Sequence, residues 1–551
     1  MDPIRAIPLG GLGEFGLNMM CLQHGDAAIA IDCGLMFPGA DLLGIDLVIP
    51  DVSYLLEENQ KLHGIVLTHA HEDHIGALPY VLKQLSVPVF GTRLTLGLLR
   101  NKLREHGLEQ TADLREIAAG QPWDLGPFSI DGIRVTHSLM DCLALAVETP
   151  AGTVIHTGDF KIDHTPMNGE FFDFQRFAAY GEKGVLVLMS DSTNVEREGY
   201  TPSERVVGRY LEEIFQASQG RVFVATFSSN IPRIQQVTEL SENLDRRVVF
   251  CGRSMIHNAQ IAADLGYLRL PHGVMTESDR WQDLPRRRLT FLTTGSQGEP
   301  LSVLHRIALD YHKSIKIEPG DTVVLSSKFI PGNEKAITNL INHLYRRGAE
   351  VHYERVSEIH VSGHASQEEL KTMLQLTRPR YFVPIHGEYR HLVRHLQLAQ
   401  KVGLRPENCF LLEDGDVLEL SSTAAKKVAP VSAGRVLVDG KGIGDVEEVV
   451  IRDRRHLSED GMVLAVMAIH QQTGDLVAGP DLVSRGFMRA EEGEEVLLRA
   501  KQVVLDVLKH MNRETRTDPV ELQEEVRKAL RRYFSKTLER RPVVVPLIVE
   551  T

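Results

Sequence analysis

The sequence predicts a multidomain α/β protein whose functional site lies along one edge of a layered domain. Three observations carry that expectation. Short apolar runs ending in polar clusters fill residues 1–203, repeated strand-then-helix order fills 204–355, and strands ending in histidine return over 356–422. The return makes the middle block an insertion within a discontinuous first domain. Strands interleaved with helices, with polar residues at the strand ends, are the pattern of a layered α/β domain.

In the first part "AAIAIDCG", "GIVLTHAH", "VPVFG", "GIRVTHS", "GTVIHTGDF" and "GVLVLMSDST" each read as a short strand, with helical patterns such as "IGALPYVLKQL" and "TLGLLRNKLREHG" between some of them. Gly11, Gly13 and Gly16 match GxGxxG after the strand-like "IRAIPLG". A dinucleotide fingerprint requires a helix next, to hold the pyrophosphate. Here "LNMMCLQHGDAAIAIDCG" follows, which reads as strand, turn and strand, so a glycine-rich hairpin loop is expected. In the middle block "RVVGRYLEEIFQAS", "IPRIQQVTELSENL" and "NEKAITNLINHLYRRG" read as helices, and "RVFVATFSS", "RVVFCG" and "DTVVLSS" as strands. That order predicts a separate parallel sheet. Residues 423–447, rich in small residues, Gly and Lys, read as a linker. Residues 448–551 read as a small α/β domain, with strands "VLAVMAIH" and "RPVVVPLIVE" around two long amphipathic helices.

At 551 residues the chain exceeds what one hydrophobic core serves. Its composition, 43% hydrophobic and 25% charged, is that of an ordinary globular protein. No run approaches the ~20 apolar residues of a membrane span, and "MDPIRAIPLGG" lacks the basic and apolar regions of a signal peptide. The five cysteines are scattered and form no CxxC pair, which argues against a disulfide framework and a thiolate zinc site and points to the cytoplasm. The 61 basic and 74 acidic residues give a net charge of −13. A polyanionic substrate then needs metal ions and a local basic groove to attract it.

The chemistry concentrates in "LTHAHEDHIG", where His69, His71, Asp73 and His74 fall within six positions at a strand end. A polar surface turn is one reading. The other is half of a metal site, since imidazole nitrogens and carboxylates are the ligands zinc and similar ions prefer. His137, Asp159, Asp191, His364 and His386 repeat the style at later strand ends or loops. Together they supply enough donors for two ions: His69, His71, His137 and Asp159 around one, and Asp73, His74 and His386 around the other, with Asp159 bridging. Two ions ~3.5–4 Å apart clamp the attacking and departing oxygens of a phosphodiester displacement.

These residues resemble the metallo-β-lactamase superfamily. Asp191 in "SDST", His364 in "SGHAS" and His386 in "PIHGEYRH" are similar to the additional motifs of its β-CASP nuclease branch. "LGGLGEFGLN", "LLGIDLVIPD", "THAHEDHIGALPY", "GDFKID", "SDSTN", "HVSGHAS" and "VDGKGIGDV" resemble the bacterial ribonuclease J family, from about residue 5 to the C-terminus. The resemblance implies a metallo-β-lactamase αββα sandwich carrying an inserted β-CASP domain, and a C-terminal domain that supports a homodimer or a higher oligomer. It implies a 5′-to-3′ exoribonuclease that prefers 5′-monophosphate single-stranded RNA and also cuts internally, acting in RNA maturation and mRNA decay, with RNA-decay proteins as partners. Its cofactors would be two Zn or Mn ions per subunit.

By the same resemblance His364, Asp191 and Asp73 carry the catalytic expectation, with His364 on the scissile phosphate and Asp191 orienting a neighbouring histidine. Asp32 is expected as a buttress rather than a ligand. A phosphate pocket is expected from Ser228, Ser229 and Asn230 in "TFSSN" and from His360, Val361, Ser362, Gly363 and His364 in "HVSGH". Capping of the following helix is an equal reading of "TFSSN". A further structural ion, Ca or Mn, is implied between the carbonyls of Leu43 and Ile45 and the carboxylate of Asp439, where an Asp-Gly turn reads as well. Rival functions remain: a thioesterase or lactonase, for which the insertion and His364 have no use; a metal-free RNA-binding scaffold, which predicts lost ligands; and a DNA-directed β-CASP nuclease, from which RNA is preferred on the resemblance alone.

Overall fold

The computed structural model describes residues 3–39, 42–57, 61–271, 281–299, 301–329, 333–354, 359–440, 442–444, 448–488 and 490–551. The expected boundary at 355/356 and residues 441 and 445–447 of the expected linker lie outside the described residues.

Two sheets form the first layered domain. One has eight strands in the order Ala425–Val428, Val417–Leu420, Ile4–Gly10, Met19–His24, Ala27–Ile31, Lys61–Val66, Val89–Gly91, Leu114–Glu116. The other has six: Tyr381–Ile385, Val185–Asp191, Gly152–His156, Cys142–Thr149, Phe128–Val135, Trp123–Leu125. Side chains alternate across a strand, and one set from each sheet meets in a shared core. Ile4, Ala6, Met20, Leu22 and Ile29 come from the first sheet, and Ile130, Leu143, Leu145, Val147 and Val187 from the second. Helices Phe174–Lys183, Gln367–Thr377 and Tyr389–Lys401 cover the outside of the six-stranded sheet, and Arg93–Glu105 packs outside the eight-stranded one. The strands are therefore buried on both faces, and the fold is an α/β sandwich of the αββα kind.

Strand direction decides where the site can form. Gly152–His156, Val185–Asp191 and Tyr381–Ile385 run parallel, and Phe128–Val135 runs the same way because two antiparallel pairings separate it from Gly152–His156. In the facing sheet Lys61–Val66 is parallel to Ala27–Ile31. The carboxyl ends of the parallel strands in each sheet thus share an edge, and loops leaving it can converge. The glycine stretch Gly11–Gly16 is followed by strand Met19–His24, paired antiparallel to Ala27–Ile31, and by no helix.

A third sheet, all parallel, occupies the middle block in the order Arg247–Cys251, Leu289–Thr293, Val222–Ala225, Thr322–Leu325, Glu350–His352. The expected parallel order holds, but Leu289–Thr293 and Glu350–His352 are strands beyond the three read from sequence. Phe223 and Phe291 stack on neighbouring strands, with ring centroids 4.6 Å apart. Arg233, fully buried on helix Ile231–Asn243, joins this block to its surroundings. Its Nη2 donates to Glu204 Oε2 at 2.6 Å, and its Nη1 donates to the Ile359 carbonyl at 2.9 Å and to the Ser326 hydroxyl. Burial pushes the Glu204 carboxyl up, but the charges of Arg233 and Lys161 hold it below its ordinary value.

Two further readings need correction. The helix expected over "IGALPYVLKQL" is two short helices, Glu72–Ile75 and Leu78–Val81; Gly76 caps the first, and Pro79, without an N–H, sits in the first turn of the second. The stretch expected as a linker carries strands. Ala425–Val428 adds to the eight-stranded sheet beside Val417–Leu420, as a short edge strand bearing Lys426 and Lys427, which suits an edge. Arg435–Asp439 and Gly442–Ile443 form an antiparallel pair.

The chain divides into two units, Met1–Phe37 with Val48–Val436, and Pro38–Leu47 with Leu437–Thr551. In the second unit Met462–Ile469 runs antiparallel to Leu476–Arg485 and parallel to Val543–Glu550. Its inward residues Val463, Ala465 and Met467 share a core with Ala500, Val504, Leu522, Val526, Leu530 and Phe534 from helices Ala490–His510 and Pro519–Leu538. Strand Leu476–Arg485 and helix Glu448–Asp460 are additions to the sequence reading. None of the described helices is long and apolar enough to cross a membrane.

Removing one partner of a buried ion pair leaves an uncompensated charge and costs about 3–5 kcal/mol. Arg233→Ala is therefore expected to destabilise the first unit by about that amount, measured as a lowered urea midpoint in its unfolding transition.

Candidate metal centre

The junction after strand Lys61–Val66 opens the site. Thr68 and His69 continue from the strand, His71 is the N-terminal flanking residue of helix Glu72–Ile75, and Asp73 and His74 lie on that helix. His137 follows Phe128–Val135, Asp159 follows Gly152–His156, Asp191 ends Val185–Asp191, and His386 follows Tyr381–Ile385. His364 comes from the loop before helix Gln367–Thr377. All seven residues expected as ligands are thereby brought to one place, with His364 and Asp191 beside them.

Among the described residues three groups of donors share Asp159; two of them correspond to the expected ion sites, and the third joins it to Asp191, His364 and His386. His69, His71, His137 and Asp159 form the first, and Asp73, His74, Asp159 and His386 the second; within each, the ligand atoms lie within 4.8 Å of one another. Asp159 Oδ2 stands 3.7 Å from His69 Nε2 and 3.9 Å from His137 Nε2 on one side. On the other side it stands 3.3 Å from His74 Nε2 and 3.5 Å from His386 Nε2. Asp73 Oδ2 is 3.6 Å from His74 Nε2 and 3.8 Å from His386 Nε2.

Most of the inward nitrogens are selected by a partner on the other side of the ring, the arrangement that fixes a metal-binding tautomer. His74 Nδ1 bonds Asp32 Oδ2 at 2.8 Å, and His137 Nδ1 bonds the Gly363 carbonyl at 2.7 Å. His69 Nδ1 lies 3.0 Å from the Thr68 hydroxyl, and His386 Nδ1 bonds Asn18 Oδ1 at 2.8 Å. Asp32 also accepts from the Thr68 N–H and hydroxyl, each at 2.8 Å. It therefore touches the histidines' supports and lies outside both donor groups. Asp32 and His386 both hold left-handed backbone, at φ 62° and 55°, a conformation that packing must impose on non-glycine residues.

Electrostatics follow the geometry. Burial lowers His69 and His137 well below the ordinary imidazole range, so both are neutral ligands. Burial opposes charge on His74 as well, yet Asp159, Asp73 and Asp32 raise it well above that range. Burial would raise Asp159, but the surrounding histidines hold it well below the usual carboxylate range. Its other oxygen, Oδ1, is buried without a hydrogen-bond partner. Six nitrogen and oxygen donors around an ionised, under-satisfied carboxylate fit a pair of divalent cations.

The remaining expected residues divide. His364 Nδ1 bonds Asp191 Oδ2 at 2.8 Å, and its ring stacks near His386 with centroids 5.5 Å apart. Burial disfavours its charge, but Asp191 and Asp159 raise its pKa to about 9. Around it Asn194 Nδ2 donates to the Ser362 hydroxyl at 2.7 Å and to the His364 carbonyl at 3.0 Å, and Thr201 Oγ1 donates to the same carbonyl at 2.7 Å. In "TFSSN" the Asn230 side chain accepts from the Arg233 N–H at 3.0 Å as a helix cap. Ser228 accepts from Asn258 at 3.0 Å, and the Ser229 carbonyl accepts from Ile231 N at 2.8 Å. His360 is largely buried, its Nδ1 lacks a partner, and desolvation lowers its pKa to about 3. Val361 and Gly363 are buried. No direct bond joins the two loops among those described; Arg233, next to one and bonded to Ile359 beside the other, is the link. Sequence reading missed Asn18, Asn194 and Arg233 as supports, although Asn18 closes "LGGLGEFGLN" and Asn194 closes "SDSTN".

The expected structural-ion site does not fit a divalent cation. The Leu43 carbonyl and the Asp439 carboxylate both accept from the guanidinium of Arg454, so a side-chain cation already stands between two of the three expected oxygens; Ile45 is buried in the same loop.

Comparison with known proteins gives four family matches. Residues 12–194 match the metallo-beta-lactamase superfamily, and 219–344 the ribonuclease J beta-CASP domain. Residues 348–412 match a Zn-dependent metallo-hydrolase RNA specificity domain, and 449–551 the ribonuclease J C-terminal domain. The chain is 43% identical to ribonuclease J of Thermus thermophilus, over 100% of this chain and 96% of that one. It is 41% identical to ribonuclease J of Helicobacter pylori, over 98% of this chain and 79% of that one. It is 39% identical to ribonuclease J2 of Bacillus subtilis, over 100% and 99%. A solved protein of unknown function from Enterococcus faecalis shares the fold with a TM-score of 0.53 at 16% identity, covering 76% of this chain and 100% of that one.

Gly34 bounds the centre most tightly: a Cβ there would lie 1.6 Å from the Asp73 carbonyl oxygen. Gly34→Ala must displace Asp73. Since a misplacement of about 1 Å costs on the order of 100-fold in rate, nuclease activity is expected to fall by about that factor. Elemental analysis of the dialysed variant is expected to show less divalent metal than wild type.

Proposed function

This chain belongs to the ribonuclease J family, and we propose that it is a two-metal 5′-to-3′ exoribonuclease with endonuclease activity, acting on 5′-monophosphorylated single-stranded RNA. The coarser statement needs no proposal: the chain is a metal-dependent nuclease of the hydrolase class. The observation that carries the finer reading is the position of Asp159 Oδ2, within 3.9 Å of nitrogens from both donor groups. Zn or Mn would be held by His69, His71, His137 and Asp159 on one side and by Asp73, His74, His386 and Asp159 on the other. Two such ions supply positive charge to the phosphate oxygens and make water a usable nucleophile at neutral pH.

The chain's own groups do the rest. Asp191 holds His364 through Nδ1, leaving Nε2 for the substrate, and keeps the ring protonated near neutrality. A protonated imidazole there stabilises charge building on the phosphate and donates a proton to the departing oxygen. His364 is among the more open residues of the cluster, at 19% side-chain exposure against 2% for Asp159, as a substrate-facing group needs to be. Asn194 and Thr201 fix its carbonyl and hold the loop. For the 5′ phosphate, the favoured partners are the Ser228 and Ser229 hydroxyls with the 360–364 backbone, since hydroxyls and N–H groups suit a phosphate; Asn230, engaged as a cap, contributes through the helix start it organises. Cellular work in RNA maturation and mRNA decay, in the cytoplasm and with other decay proteins, extends the same reading.

A homodimer through the C-terminal domain is part of the proposal. Val545, Leu547 and Val549 alternate along strand Val543–Glu550 at 39%, 48% and 47% exposure, and Val477 and Val483 are exposed on Leu476–Arg485 of the same sheet. An apolar sheet face of this kind is stabilised by burial against a second copy.

One assay separates the readings. With Mn²⁺ present, 5′-monophosphate RNA is expected to be shortened processively, with 5′-triphosphate RNA, matched DNA and a thioester poor substrates. His74→Ala should lower RNA hydrolysis by at least about 100-fold, since a misplaced catalytic group alone costs that much. Equal rates on the two 5′ ends would remove the phosphate pocket, and unimpaired His74→Ala would remove the second ion.

A further inference from the structure

The glycine-rich stretch that imitates a nucleotide-binding loop has a different use. It ends at Asn18, whose N–H and side-chain amide are engaged at the second donor group and whose carbonyl is engaged beside it. Its N–H donates to the Asp73 carbonyl at 3.1 Å, and its carbonyl accepts from the Gly34 N–H at 3.0 Å. Its side-chain Nδ2 donates to the same Asp73 carbonyl at 3.0 Å and lies 3.4 Å from Asp73 Oδ2 and 3.2 Å from His74 Nε2. Its Oδ1 accepts from His386 Nδ1 at 2.8 Å. The loop can wrap so closely only without side chains. Gly11 has φ +92°, and a Cβ on it would lie 2.6 Å from Asn18 Oδ1.

We propose that Asn18 is a positioning residue that selects the tautomer of His386 with Nε2 facing inward, pins Asp73, and so sets the affinity of the second of two divalent cations. The inference rests on the two-metal reading above. Its physical basis is specific: an acceptor on Nδ1 forces the proton there and leaves the Nε2 lone pair for a cation. The first donor group, whose histidines are held by Thr68 and Gly363, does not depend on Asn18.

The test uses the full-length chain and Mn²⁺, titrated against a chelating indicator and followed by electron paramagnetic resonance. Wild type is expected to bind two ions and give the signal of a coupled pair. In Asn18→Ala one step weakens about 10–100-fold, the scale on which outer partners of metal ligands act, while the other step is unchanged. Asn18→Asp keeps the acceptor toward His386 but loses the amide that donates to the Asp73 carbonyl, so it recovers part of the loss, which a merely structural role would not produce. Two unchanged steps in Asn18→Ala overturn the proposal, as does Asn18→Asp binding no better than Asn18→Ala. If Asn18→Ala folds poorly, Asn18→Asp carries the test: it must bind two ions with only one of the two steps weakened. A wild-type chain that binds a single ion overturns the two-metal reading and, with it, this inference.

A second observation stands apart, in the other unit. Arg454, on helix Glu448–Asp460, donates from Nη1 to the Leu43 carbonyl at 3.1 Å and from Nη2 to the Asp439 carboxylate. The same two segments are also joined by Asp46, whose N–H donates to Val438 O at 2.9 Å and whose Oδ2 accepts from Gly440 N at 2.8 Å. We infer that the guanidinium is the resident cation of this turn, taking the place that the family resemblance gives to a structural ion. A planar, permanently charged fork bridging a carbonyl and a carboxylate needs no divalent partner. In equilibrium dialysis, wild type and Asp439→Asn are expected to bind the same number of Ca²⁺ ions per full-length chain. Arg454→Ala, with the place opened, should gain a Ca²⁺-dependent rise in melting temperature that Arg454→Ala/Asp439→Asn lacks. One fewer Ca²⁺ in Asp439→Asn, or no Ca²⁺ effect in a folded Arg454→Ala, contradicts the inference.

Discussion

A single buried carboxylate holds the centre together. Asp159 is 3% exposed, one of its oxygens is without a partner, and the other faces four imidazoles that arrive from three separate segments. An ionised carboxylate in such a place is tolerable only if positive charge surrounds it. In the metal-free cluster the acidic neighbours of His74 and His364 favour their protonated forms; in the proposed two-cation state the ions would supply that charge, with His74 as a neutral ligand. The rest of the layered domain is arranged to satisfy this requirement. Strands of like direction end at one edge, and several of the loops leaving that edge deliver donors.

Precision comes from a shell of partners behind the donors. Asp32 holds His74 and Thr68, Gly363 holds His137, and Asp191 holds His364. The Gly363 bond makes one donor of the first group depend on the loop that presents His364, so the His364 ring and the His137 nitrogen are placed together. Strained backbone at Asp32 and His386 fits the same design: conformations unfavourable by about 1–3 kcal/mol persist where surrounding contacts over-determine them. The inserted parallel sheet reaches the site through Arg233 and Ile359, a buried ion-pair network rather than a loose contact.

Most of the histidine and aspartate positions were legible because they end or closely follow short, strongly apolar strands. His69 to His74 announce a site by density alone. The supports were less legible, since Asn18, Asn194 and Arg233 look like ordinary polar residues until distant segments meet them; His386 is 368 positions from Asn18. The strand Leu289–Thr293 was hidden behind Arg286 to Arg288, whose charge masks a short apolar run. Residues 423–447 read as a linker because they are rich in small residues, Gly and Lys, yet an edge strand needs little burial to pair. Arg454 could not be read at all, because only the fold brings it to Leu43 and Asp439.

The central claim is that one carboxylate serves two cations. Anomalous diffraction from crystals of the full-length protein grown with Mn²⁺ tests it directly. The account predicts two peaks about 3.5–4 Å apart, one on each side of Asp159 Oδ2, the first beside His69, His71 and His137 and the second beside Asp73, His74 and His386. A single peak at full occupancy, or two peaks that do not share Asp159, would contradict it.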